Sequence, residues 1–190
     1  MGTRVTTALA AGRPVVVLDE HGTAELVVAA QAVTTSAMAF LIRHGSGFVR
    51  VALTGQACDR LVLPPVTPLG PHRCAQAVAV DAAEGVSTGI SAADRCRAAR
   101  LLADPATVPD DLRRPGHTVP LRAWAGGEPG VVEASVELAT AAGLSAAPVL
   151  CGLVSERDPR RMAGAGEAAL FARRHRLEIT GVAESWRRAG

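Results

Sequence analysis

One stretch constrains this chain more than any other: Asp81-Ala82-Ala83-Glu84-Gly85-Val86-Ser87-Thr88-Gly89-Ile90-Ser91-Ala92-Ala93-Asp94-Arg95. The apolar segment before it, 77–80, reads as a strand end. Ser91 and Asp94 give an S-x-x-D signal, which predicts a helix start with reciprocal capping of orphan amides. Between strand and helix sits a glycine-bracketed turn carrying two hydroxyls, Ser87 and Thr88. A loop held this way presents polar groups rigidly. The helix N-terminus behind it favours an anion. The same residues also suit an ordinary strand-turn-helix joint.

The rest of the chain repeats this alternation. Residues 5–11 are Ala-rich and read as a helix ending at Gly12, and 15–18 read as a buried strand. Residues 19–25 form a polar loop whose Asp19, Glu20, His21 and Glu25 could bind a divalent ion, though their spacing matches no specific ligand motif. An apolar run follows at 26–30. Thr34 or Thr35 then caps a helix that ends near Gly45. Residues 48–53 read as a strand with Arg50 inside it, and a half-buried arginine needs a counter-charge or a ligand. A short helix over 54–61 precedes Pro64-Pro65 and an irregular loop over 67–73. Residues 75–81 read as one strand, and the helix from Ser91 runs to about Ala103, where Asp104-Pro105 stops it.

The segment 110–122 is dense in charge and carries Pro115-Gly116, which predicts a surface loop leading into a short strand. His117 follows that Pro-Gly pair, and Arg113, Arg114 and Arg122 offer cations for an anion. A glycine-rich segment over 126–130 gives way to a helix with Val132, Val136 and Ala139 on one face and Gly143 as its C-terminal signal. Strands at 148–154 and 177–180 flank a helix over 167–175. The expected fold is a single α+β domain, a mixed sheet with packed helices, over residues 5–183, followed by a basic C-terminal tail over 184–190.

Composition narrows the function. A net charge of +2 leaves no nucleic-acid footprint, and no apolar span is long enough for a transmembrane helix. No leucine-rich signal core opens the chain. The four cysteines are widely spaced without a C-x-x-C, which argues against a zinc knuckle and fits a reducing cytoplasm.

Three segments in order, 81–95, Arg114-Pro115-Gly116-His117-Thr118-Val119-Pro120-Leu121-Arg122 and 132–139 before Gly143-Leu144, resemble 3,4-dihydroxy-2-butanone 4-phosphate synthase, a riboflavin-pathway lyase. The resemblance covers residues 5–183. It implies an α+β homodimer with active sites at the subunit interface. It also implies Mg²⁺ and the release of formate from ribulose 5-phosphate. Such chemistry needs carboxylates to move protons, a divalent ion to polarise sugar oxygens, and cations or hydroxyls for the phosphate.

Against that pattern the chain is depleted. The family's D-R-E-N-E-G-D loop is here the shorter 19–25 segment, in which Glu25 retains the last acidic position. The family's G-H-T-E segment, source of a metal-binding His, is Gly130-Val131-Val132-Glu133. A family Glu after Cys151 is Gly152, the strand cysteine near the sugar is Arg50, and phosphate-holding threonines are replaced around Arg97-Ala98-Ala99. The residues expected to act are therefore Asp94, His117 and Glu133 as catalytic groups, with Arg50, Ser91, Arg95 and Thr88 binding the ligand. Asp94, Arg95 and His117 are expected to line one pocket, Asp94 orienting His117 as a general base.

No metal residues are assigned, and Mg²⁺ is expected only if the family activity persists. The leading expectation is an enzyme of altered chemistry acting on a small polar or phosphorylated metabolite, as in secondary metabolism. One alternative is a catalytically inactive homologue serving as a binding or partner protein. Another is the synthase itself, with Glu20, His21 or Glu25 as relocated ligands.

Overall fold

The computed structural model describes residues 4–66, 75–124 and 130–183. Cys74, the loop expected over 67–73, most of the glycine-rich segment before Gly130 and the basic tail 184–190 lie outside the described residues. Among the described residues the strands β1 (Val15–Leu18), β2 (Ala24–Ala29), β3 (Arg50–Leu53), β4 (Ala75–Gln76), β5 (Val80–Ala82), β6 (Leu112–Arg122), β7 (Pro148–Gly152) and β8 (Ile179–Gly181) form one mixed sheet. Its order is β4-β6-β3-β7-β2-β1-β8, with β5 also paired to β6. The fold is α+β, as expected.

Side-chain alternation along the strands sorts the core into two layers. Val15, Val17, Val27, Ala52, Leu121 and Leu150 point to one face, where helices α1 (Arg4–Ala10) and α5 (Val131–Ala141) cover them through Val5, Leu9, Val132 and Leu138. Val16, Leu26, Val28, Val51, Leu53 and Val149 point to the other. There they meet α2 (Thr35–His44), α4 (Ala92–Ala103) and α6 (Ala165–His175). A short helix, α3 (Gly55–Arg60), follows β3 and contributes Cys58. The helix starts follow their caps: Thr34, Thr54 and Ser91 side chains accept from the amides of Ala37, Ala57 and Asp94.

Three local expectations are corrected. Residues 112–122 are not a loop but β6, at 11 residues long. Pro115-Gly116 does not break it because the missing side chain of Gly116 lets β5 approach: a Cβ there would lie 2.1 Å from the Val80 carbonyl carbon. Residues 75–81 are not one strand but two, β4 and β5, with a register irregularity between Val80 and Asp81. Glu25 belongs to β2 rather than to the polar loop before it.

Cys58, Cys96 and Cys151 are free and buried, and burial pushes the Cys58 thiol up to about 11. No helix among the described residues is long and apolar enough to cross a membrane. Leu150, on a central strand, is fully buried. Leu150→Ala is predicted to lower the unfolding free energy by about 2–5 kcal/mol, measured by urea titration.

Candidate active site

Strand β6 carries His117 into contact with β5. Asp81 grips it twice: Oδ1 accepts from the His117 backbone N–H at 2.9 Å, and Oδ2 lies 2.8 Å from Nδ1. A carboxylate only accepts, so Nδ1 carries a hydrogen, and in the neutral ring Nε2 then has the lone pair. The imidazole side chain is 44% exposed while that of Asp81 is 10% exposed. This is a ring oriented from behind and open in front. The carboxylate on His117 is therefore Asp81 and not Asp94, correcting the expected partner. Asp81 lies 36 residues away in sequence, and no local pattern announces the contact.

Asp94 does different work. Its carboxylate accepts from the Ser87 N–H at 3.3 Å, the Ser87 hydroxyl at 2.9 Å and the Gly89 N–H at 3.1 Å. The expected reciprocal cap is one-sided: Ser91 Oγ accepts from the Asp94 amide, but the Asp94 carboxylate turns to the loop instead. These bonds, led by the Ser87 hydroxyl, hold the Asp94 carboxyl below its ordinary value of 3.8. The loop so held presses Gly89, at φ +82°, against the dyad. A Cβ on Gly89 would fall 2.1 Å from Asp81 Oδ2 and 2.6 Å from His117 Nδ1. Thr88 Oγ1 accepts locally from the Ile90 amide at 3.4 Å.

A second pair lies on the same face of the sheet as His117. His117, Val119 and Leu121 alternate to one side, and Leu121 packs under α1 and α5. Val119 is the register partner of Arg50 on β3, and Leu150 is its partner on β7. Arg50 therefore faces the His117 side. One Arg50 nitrogen, Nη2, donates to both oxygens of Glu25 at 2.6 Å each. The side chains of Arg50 and Glu25 are 18% and 13% exposed. Burial lifts the Glu25 carboxyl above its ordinary range, and Arg50 pulls it back only in part. Glu25 pairs across the sheet with Gly152 on β7. A Cβ at Gly152 would lie 2.4 Å from Met162 Cε.

Arg95 and Glu133, also expected at the site, bond to backbone groups. Arg95 is buried; its Nη1 donates to the Gly47 carbonyl at 2.7 Å, and its Nε has no partner. Burial holds its pKa below the ordinary value, against the pull of Cys151 and Asp81. Glu133 accepts from the Gly130 and Trp124 amides at 3.2 and 3.0 Å, fixing the start of α5. His21 stands apart, its side chain 82% exposed and 4.0 Å from Glu20. Burial raises the Cys151 pKa above its ordinary value.

The depressed pKa of Asp94 has a sign. A carboxyl lowered on folding adds stability that is full above its unfolded pKa and is lost as pH falls through the folded one. Asp94→Asn is predicted to lower the melting temperature at neutral pH and to flatten the acid limb of the melting-temperature profile. Scanning calorimetry from neutral pH into that limb checks both.

Comparison with known proteins places this chain in a family. The family model described as 3,4-dihydroxy-2-butanone 4-phosphate synthase matches residues 3–187. The riboflavin biosynthesis protein RibBA of Nocardia farcinica is 47% identical over 195 aligned residues, covering 97% of this chain and 47% of the relative. The chain thus spans about half the length of the curated relatives it matches. The crystal structure of 3,4-dihydroxy-2-butanone 4-phosphate synthase of Candida albicans superposes with a TM-score of 0.89 at 34% identity, covering 98% of this chain and 95% of that one. A structure of such a synthase in complex with two magnesium ions gives a TM-score of 0.87 at 38% identity, covering 96% of this chain and 92% of that one. The protein belongs to the 3,4-dihydroxy-2-butanone 4-phosphate synthase family.

Proposed function

We propose that this chain is an enzyme acting on a small phosphorylated ketose, with ribulose 5-phosphate as the reference substrate, and that it begins by enolising it at His117. The observation that carries this reading is the Asp81–His117 contact at 2.8 Å beneath a half-exposed ring. Nε2 takes a carbon-bound proton from beside the ketose carbonyl, and the electrons move onto the carbonyl oxygen, leaving an enediolate. Asp81 steadies the imidazolium that forms. Asp94 acts through the Ser87–Gly89 loop by holding Gly89 against the pair.

The Mg²⁺ that the family implies does not fit the residues of this cleft. Val131 and Gly152 offer no donor, and the Glu25 carboxylate is committed to Arg50. Among the described residues no group of three His, Cys, Asp or Glu side chains converges. This donor set supports altered chemistry that stops at or diverges from the enediolate. Identities of 44–47% to riboflavin biosynthesis proteins favour a second reading, the family's complete reaction with release of formate.

The test is proton NMR of ribulose 5-phosphate in deuterated buffer, with EDTA or with Mg²⁺. The expected outcome is solvent exchange beside the carbonyl in EDTA without formate. His117→Ala should slow that exchange by about 10²–10⁴-fold with an unchanged melting curve. Formate release that requires Mg²⁺ establishes the second reading. Neither exchange nor formate leaves a binding role. A homodimer with the cleft at its interface belongs to the same proposal, supported by Phe48 and Met162, which are 45% and 42% exposed beside the Arg50–Glu25 pair. Light scattering is expected to give twice the chain mass.

A further inference from the structure

The Arg50–Glu25 pair has more donors than its partner uses. Nη2 alone reaches both Glu25 oxygens, so the contact is side-on rather than the fork-to-fork pairing that two nitrogens allow. Nε is buried without a partner, and Nη1 has none among the described residues. The Phe48 ring lies 5.8 Å from the guanidinium carbon and shields that side from water. Stability does not account for the arrangement. Burying two charges usually contributes no more than apolar side chains of the same volume, and the raised pKa of Glu25 shows that its burial is not fully compensated. The surroundings are adapted to the pair. Gly152, opposite Glu25 in the sheet, leaves no competing carboxylate, and Met162 closes the space a side chain there would enter.

We propose that Arg50 is the resident cation of this cleft, fixed in the chain where a dissociable metal ion would otherwise act, and that its uncommitted guanidinium edge binds the enediolate oxygen of the ligand. The inference rests on the reading that the cleft enolises a phosphorylated ketose. Register places Arg50 on the His117 side of the sheet, with Val119 as the link between them. Proton removal by His117 raises negative charge on an oxygen beside the reacting carbon. A guanidinium held by Glu25 meets that charge without reorganising. Glu25 is then a positioning residue. It holds Nη2 and leaves the rest of the guanidinium edge uncommitted. Recognition of the phosphate is a separate matter, and the experiment separates the two.

The probes are ribulose 5-phosphate and a hydroxamate analogue of its enediolate, both titrated calorimetrically in excess EDTA. Wild-type protein is expected to prefer the hydroxamate. Arg50→Gln should erase that preference, weakening the hydroxamate by about tenfold to a hundredfold while leaving ribulose 5-phosphate within about threefold. Arg50→Lys should retain part of it. Should Arg50→Gln misfold because Glu25 is left unpaired, the Glu25→Gln/Arg50→Gln double variant removes both charges, and its expected result is the same. A preference unchanged in these variants, or one that appears only when Mg²⁺ or Mn²⁺ replaces EDTA, overturns the role of Arg50 and leaves the enolising function standing. Failure of wild-type protein to bind either compound overturns the ketose reading, and Arg50 with it.

Discussion

The carboxylate of Asp94 is the contact on which the arrangement around His117 depends. It gathers three donors from one short loop, two on Ser87 and one on Gly89, while its own amide is capped by Ser91. That ties the loop to the first turn of α4, whose body is packed in the core through Cys96, Ala99 and Leu102. The loop in turn rests on Asp81 and His117 through Gly89. Rigidity thus passes from a buried helix to an exposed imidazole through hydrogen bonds to one carboxyl group. A charge that is buried and fully hydrogen-bonded is costly to move, which makes it a good anchor.

On the α5 side of the same sheet the cleft is organised by charge neutralisation. Glu25 and Arg50 come from neighbouring regions of the sheet, on β2 and β3 with β7 between them. Their side chains meet over Gly152, where β7 presents no side chain of its own. Val131 at the start of α5 packs against the apolar layer instead of reaching for a ligand. On the proposed reading His117 serves as base and Arg50 as cation, and among the described residues no three His, Cys, Asp or Glu side chains gather to hold a metal ion. Family membership and this local chemistry speak to different things: the first to the scaffold, the second to which steps that scaffold can support.

Much of this was legible in the sequence wherever the signal was local. Thr34 and Ser91 sit just before their helices as caps, and the short apolar runs expected at 15–18 and 148–154 contain strands β1 and β7, because both signals act within a few residues. Arg50 announced itself as a charge inside an apolar run. Its partner did not, since Glu25 sat in a polar loop by local composition and joins β2 only through cross-strand pairing. The same limit hid β6. Pro115-Gly116 reads as a turn in isolation, and only the close backbone of β5 shows why a glycine is required there. Asp81 was overlooked for the same reason, its meaning being fixed by a strand pairing across 36 residues. Asp94 was singled out, yet its role depends on how the Ser87–Gly89 turn folds back, which an S-x-x-D spacing does not specify.

The methyl group of Met162 lies where a side chain at position 152 would begin. Glutamate at position 152 would have to displace that methyl and would set a second carboxylate beside Glu25. Removing Arg50 first would strand Glu25 as a buried charge. A carboxylate added at position 152 and a cation removed at position 50 would both raise uncompensated negative charge at the same Glu25 side chain, so the two positions cannot be varied independently.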